Sequence, residues 1–172
     1  MTIETFGLDK VRLSLERLRD VPGIADDEMK VLAREMRDLA RAMAPIDYSD
    51  LHKAIQDARR GSGIRNAKGQ FVKGHSTYEV FLNERTPVRD PKKKKYGTHY
   101  VSEYMWFVHE HMGWGGNDTG FMPSEKSVQH GLANGVQAGG RFLERAAEKM
   151  RDDVGKRMVN VVTKFIESLD IG

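Results

Sequence analysis

The chain contains no cysteine. Disulfide staples, thiolate zinc sites and a cysteine nucleophile are therefore excluded, and nothing calls for an oxidising compartment. Long apolar runs are missing as well. None approaches the ~20 residues that span a bilayer. Met1 to Lys10 carries acids where a signal peptide would carry apolar residues. The expectation is a protein with no membrane partner. Charge of one sign is also scarce. The 28 Lys and Arg against 25 Asp and Glu leave a net +3, a weak basic excess for a free nucleic-acid binder. The glycines from Gly135 to Gly140 and from Gly113 to Gly116 are not followed by Lys-Ser or Lys-Thr, so no phosphate-binding loop is expected. No Gly-x-Ser-x-Gly elbow and no His-Glu-x-x-His spacing occur. Catalytic residues, cofactor and resident metal are each expected to be none.

What remains is a polar but globular composition, 39% hydrophobic and 31% charged over 172 residues. That length suits one domain with a core of its own. Leu8, Val11, Leu15 and Leu18 recur at helical spacing until Pro22 and Gly23. Asp26, Asp27 and Glu28 supply an acidic first turn for a second helix. Its stripe runs through Met29, Leu32, Ala33, Met36, Leu39, Ala40 and Met43, and Pro45 ends it. Asp47 or Ser49 caps a short third helix carrying Leu51, Ala54 and Ile55.

The middle changes character. Residues 59–135 read as a long loop and hairpin region. Tyr78, Val80 and Leu82 alternate with Glu79, Phe81 and Asn83, a period of two. Asn66 to Gln70 reads as a turn after a strand near Ile64. Tyr100 to His109, rich in aromatic residues, predicts a strand buried on both faces in its second half. Trp114 to Asn134 reads as a long loop. From Phe142 through Leu143, Ala146, Met150, Val154, Met158, Val161, Phe165 and Leu169 the helical spacing returns. This is about 27 residues, or ~40 Å of helix. The fold class expected is α+β: a small antiparallel sheet packed by N-terminal helices and a long C-terminal helix, in a single domain over 1–172.

Two clusters invite chemistry. On a strand, His109 and His111 share a face with Glu110 between them, and two imidazoles on one face can hold a metal. Zinc needs three or four ligands and no second cluster is evident, so surface or interface polar residues are the plainer reading. The other cluster is basic. Arg85, Arg89, Lys92, Lys93, Lys94 and Lys95, against Glu84 and Asp90, leave +4 over twelve residues. Prolines at 87 and 91 flank a projection that contacts either a phosphate backbone or an acidic protein face.

Three blocks in order carry a family resemblance. Ala44-Pro45-Ile46-Asp47-Tyr48-Ser49-Asp50-Leu51-His52-Lys53-Ala54-Ile55 resembles Ala-Pro-x-Asp-x-Gly-x-Leu-x-x-Ser-Ile. Trp106-Phe107-Val108-His109-Glu110-His111-Met112-Gly113 resembles an aromatic segment ending Val-Glu-x-Gly. Arg141-Phe142-Leu143-Glu144-Arg145-Ala146 resembles Pro-Phe-Leu-x-Pro-Ala. The pattern is similar to that of tail-completion (minor tail, head–tail joining) proteins of long-tailed bacteriophages. Ser49 stands for glycine, Arg141 and Arg145 stand for prolines, and one extra residue precedes Glu110 and another precedes Gly113. The resemblance implies that Pro45, Asp47, Leu51, Trp106, Val108, Glu110, Phe142, Leu143 and Ala146 determine the fold, with Phe142, Leu143, Trp106 and Val108 buried together. It implies no catalysis. It implies a virion structural protein of the neck or tail, assembled in the host cytoplasm as a homo-oligomeric ring, hexameric or else dodecameric. Its neighbours would be head-completion, tail-terminator or tail-tube proteins, with DNA in the channel. The alternatives are a DNA-binding module using residues 85–95 and a metal-dependent enzyme at His109, Glu110 and His111.

Overall fold

The computed structural model describes residues 21–46, 49–60, 64–65, 71–72, 77–90, 95–113 and 121–168. The stripe from Leu8 to Leu18, the turn at 66–70, Asp47 and the lysines at 92–94 lie outside them. The order is α1 (Val21–Met43), α2 (Ser49–Ala54), β1 (Ile55–Arg60), β2 (Ile64–Arg65), β3 (Phe71–Val72), β4 (Thr77–Leu82), β5 (Pro87–Asp90), β6 (Lys95–Tyr100), α3 (Met105–His111), α4 (Glu125–Ala133) and α5 (Phe142–Glu167). The fold is α+β. Among the described residues the strands form three two-stranded sheets, β1 with β4, β2 with β3 and β5 with β6. The last two pairs are antiparallel. The chain divides into two compact units. One comprises Met1–Leu32, Arg59–Tyr78 and Asp152–Gly172, the other Ala33–Ala58 and Glu79–Arg151.

The second unit holds one hydrophobic core. Ala40, Met43 and Ala44 come from the end of α1, and Leu51, Ala54 and Ile55 from α2 and the start of β1. Val101, Met105, Val108 and Met112 come from the α3 region, and Val136, Phe142 and Ala146 from around the start of α5. Met36 and Leu39 pack on its edge, as do Val80, Leu82 and Leu143. Ala44 N–H still bonds Ala40 O at 2.9 Å, and buried Pro45 then ends α1. The Arg41 guanidinium donates twice to Ile55 O, at 3.1 and 2.7 Å, so α1 holds the first residue of β1. Arg37 Nη1 adds a 2.6 Å ion pair to Asp57 Oδ1.

In the first unit, Asp26 pairs with Arg59 at 2.9 Å and Glu28 with Arg157 at 2.6 Å. These charges sit in the second turn of α1, since the helix starts at Val21 rather than at the acids. Pro22 falls within its first turn, where a missing N–H leaves no intrahelical bond unmade. Burial raises the Tyr78 phenol above its ordinary range, and the nearby Asp26 carboxylate adds to the shift.

Three expectations from the sequence are corrected. Tyr100 to His109 is not a strand buried on both faces. β6 ends at Tyr100, a 3-10 turn covers Val101–Glu103, and α3 follows. The buried positions Val101, Met105, Val108 and Met112 are spaced four, three and four apart, one helical face. Aromatic content favours strands only where both faces find packing partners. Trp106 is therefore not in the core: it is 57% exposed, on the opposite side of α3 from Val108. Residues 114–134 are not all loop, because α4 occupies Glu125–Ala133. Ser124 Oγ caps its start, accepting from Ser127 N–H at 3.3 Å, and Glu125 places an acid in its first turn. Its end closes with Val136 N–H on Gly131 O at 2.9 Å and Gly135 N–H on Leu132 O at 3.0 Å, around Gly135 at φ +67°. That is a complete Schellman motif.

The junction into α5 is crowded. Gly139 N–H donates to Met43 O at 2.9 Å and Arg141 N–H to His109 O at 2.7 Å. A Cβ on Gly140 would lie 2.3 Å from Met112 O, so only glycine fits. Phe142 is fully buried immediately afterwards. Phe142→Ala should therefore destabilise the protein by ~3–5 kcal/mol. Trp106→Ala should change stability by less than ~0.5 kcal/mol, as exposed positions do. Urea denaturation of the two variants checks the pair; equal losses would contradict this placement of α3.

Candidate functional site

Arg89 and Lys95 of the basic segment lie on the β5–β6 hairpin, and Lys92, Lys93 and Lys94 lie outside the described residues. Arg85 is exposed, and its N–H bonds Asn83 Oδ1 at 3.2 Å in the turn that precedes β5. Val101 N–H on Thr86 O at 2.9 Å closes the base of the hairpin. In the β5–β6 ladder Arg89 stands opposite Tyr96 and Asp90 opposite Lys95. The register shifts between Pro87 and Arg89, which leaves unpaired residues in β6 and increases local twist. The expected loop over 85–95 is thus strand at Pro87–Asp90 and from Lys95, while 91–94 lie outside the described residues.

The His109-Glu110-His111 cluster is taken apart by the helix. Residues two apart on an α-helix point about 200° from each other. His109 is buried and His111 exposed, so the two imidazoles share no face. His109 Nδ1–H donates to Glu110 Oε1 at 2.7 Å, and its ring meets Phe142 edge to face, centroids 5.0 Å apart. His109 Nε2 is buried without a hydrogen-bond partner among the described residues. This histidine is a packing ring of the core. Among the described residues no three His, Cys, Asp or Glu side chains are grouped to hold a metal.

The outward side of α3 is the least expected surface. Trp106 is 57% and Phe107 54% exposed. Phe107 stacks obliquely on Phe121, centroids 5.5 Å apart, and Met122 is half exposed beside it. Gly113 N–H on Phe121 O at 2.7 Å brings the two ends of the 114–120 segment together. Glu103 and Glu110 are exposed acids on the same stretch. The Glu103 carboxyl is held below its usual range, chiefly by the hydrogen bond from His99.

Elsewhere in the second unit lies an open hollow of ≈ 330 Å³, floored by Met43, Leu132 and Val136 and bordered by Arg145 and Lys149. Arg145 Nη1 donates to Gly140 O at 2.9 Å and Nη2 to Gln137 O. Burial pulls its guanidinium below the ordinary value.

The family-motif residues sort cleanly. Pro45, Leu51, Val108, Phe142 and Ala146 are buried, Leu143 is half buried, and Trp106 and Glu110 face outward. Sequence reasoning missed Phe107, Phe121, Leu132 and the Arg145–Lys149 border. For Phe107 the signal was present in the four-three-four spacing of Val101, Met105, Val108 and Met112, which leaves it off the buried face. Comparison of the chain with protein families, with curated proteins and with solved structures gives no match.

A pair of imidazoles links α2 to α4. His52 and His130 lie with centroids 5.4 Å apart, and His52 Nε2–H donates to Ala44 O at 3.1 Å. Burial pulls His52 below its ordinary value against that hydrogen bond, and the proximity of His130 and Arg41 lowers it further. As pH falls through the unfolded value of ~6.5 the unfolded chain takes up a proton that the native His52 refuses, so stability declines. His52→Gln should flatten stability between about pH 7 and about pH 5 relative to the parent chain. Urea midpoints across that range test it; an unchanged slope would assign the acid sensitivity to other groups.

Proposed function

We propose that this protein is a structural subunit of the neck or tail of a long-tailed phage, completing or joining the tail as a member of a homo-oligomeric ring. One observation carries the reading. The three sequence blocks that resemble tail-completion proteins, far apart in the chain, supply a single core. Ala44, Leu51 and Ile55 of the first meet Val108 and Met112 of the second and Phe142 and Ala146 of the third. The blocks are also joined directly, Arg141 N–H bonding His109 O. Apart from the exposed Trp106 and Phe107, the apolar residues of the pattern pack in or against one core, which supports reading it as a pattern of folding and the role as assembly.

Two departures from the pattern, Arg141 and Arg145 in place of prolines, have physical reasons. Arg141 has φ +49°, which proline cannot adopt. Arg145 N–H makes a helical bond to Arg141 O at 2.9 Å, which proline would forfeit.

A closed ring needs two different complementary surfaces on each subunit. The aromatic side of α3 and the cation-bordered hollow are two such surfaces. Electron microscopy of particles containing the chain should find it as a ring, hexameric in first expectation, where head meets tail. A single copy off the tail axis would refute the proposal.

The hairpin arm supports a second role for residues 85–95, docking on an acidic face of an adjacent ring or lying against DNA. Dense lysine–phosphate attraction would slow DNA passing through a channel, so protein contact is the better fit. Replacing Lys92, Lys93, Lys94 and Lys95 with serine should leave the melting temperature unchanged while reducing head–tail joining. Normal joining with altered DNA release, or a salt-dependent gel shift lost in the variant, would move the arm to DNA.

A further inference from the structure

The geometry points to a head-to-tail contact between copies of this chain, in which the Trp106–Phe107 side of α3 on one copy seats in the Met43–Leu132–Val136 hollow of the next. The inference rests on the ring reading above and names the surfaces that would close the ring.

Both halves of the contact are on the page. Trp106 and Phe107 expose more than half of their surface, and Phe121 and Met122 extend the same patch. Large rings left in water at this density are unusual on an isolated subunit. The hollow is open, apolar on its floor and ≈ 330 Å³ in volume, a size for one or two aromatic side chains rather than for a large ligand. Leu132, one of its lining residues, is 59% exposed.

Charge decides the occupant. The aromatic side carries Glu103 and Glu110, both exposed, whereas the hollow is bordered by Arg145 and Lys149. If the aromatic side met itself across a two-fold axis, acids would face acids, which disfavours association. Meeting the hollow, the same acids face cations. The two outer hydrogen bonds of Arg145 fix its guanidinium plane at the border, where an arriving indole or phenyl face finds a cation to stack on. Two unlike patches that complement each other generate a ring or a filament, except where they lie on one face and two copies engage them reciprocally about a two-fold axis. A double-cysteine variant that stops at a dimer would show that case and overturn the head-to-tail contact.

The absence of cysteine makes the test direct. Phe107→Cys and Leu132→Cys change two exposed positions. Under mild oxidation the double variant should give a ladder of cross-linked species, while each single variant gives at most a dimer. A mixture of the two single variants should give one mixed dimer. A second measurement uses charge. Glu110→Lys alone and Lys149→Glu alone should each weaken self-association by roughly 2- to 5-fold, the range of a partly exposed pair. The double reversal should recover most of the loss. Larger assemblies seen by native mass measurement without a 107–132 cross-link and without charge rescue would overturn this contact and leave the ring standing. A protein that stays monomeric at its highest soluble concentration, cross-links nowhere and is single-copy in particles would overturn both. Occupation of the hollow by a different chain in an assembled particle would likewise overturn the contact while sparing the ring.

Discussion

The approach of backbone to backbone at Gly140 is the constraint on which the second unit depends. With Met112 O 2.3 Å from where a Cβ would stand, the chain passes the end of α3 with no side chain between. That closeness lets Arg141 N–H reach His109 O and brings Gly139 N–H to Met43 O. The ends of α1 and α3 and the start of α5 are thereby fixed at one point. Phe142 then enters the core, where it is fully buried. Arg141 occupies a left-handed conformation that costs an L-residue ~1–2 kcal/mol, and the adjoining hydrogen bonds and Phe142 burial offset it.

Much of the helical architecture was written in the sequence as spacing. Pro45 after the Met36–Leu39–Met43 stripe gave the end of α1, and the recurrence from Phe142 gave α5 to within a few residues. The basic segment reads as a loop over 85–95 in the sequence, whereas Pro87–Asp90 forms β5 and Lys95 begins β6. Two further elements were not legible. Composition outweighed period at α3, where Tyr104, Trp106 and Phe107 look like strand residues one by one, although Val101, Met105, Val108 and Met112 keep a helical beat. At α4 the glycines on either side hid a start signal, Ser124 followed by Glu125, that is as explicit as any in the chain.

The candidate surfaces were less legible than the fold, for a physical reason. A core residue leaves its mark as periodicity. A surface acquires meaning only from neighbours distant in sequence, as Met43, Leu132 and Arg145 do around one hollow. Trp106 belongs to a core-forming block by sequence and to the exterior by geometry. The same short segment thus serves folding through Val108 and presents its aromatic residues to whatever lies outside. His109 carries the opposite lesson: an apparent metal ligand becomes an aromatic packing partner once its neighbour Phe142 is in view.

The clasp formed by Gly113 N–H on Phe121 O, with the Met112–Phe121 bridge, holds residues 113 and 121 together across the seven positions between them. Once the ends of a segment are held together, lengthening it is inexpensive: each doubling adds only about 0.6 kcal/mol of closure entropy. The position is therefore open to change in length, whether by natural divergence or by insertion of an epitope or a small reporter domain. A related chain with a longer or shorter segment here would keep the same helices on both sides of the clasp.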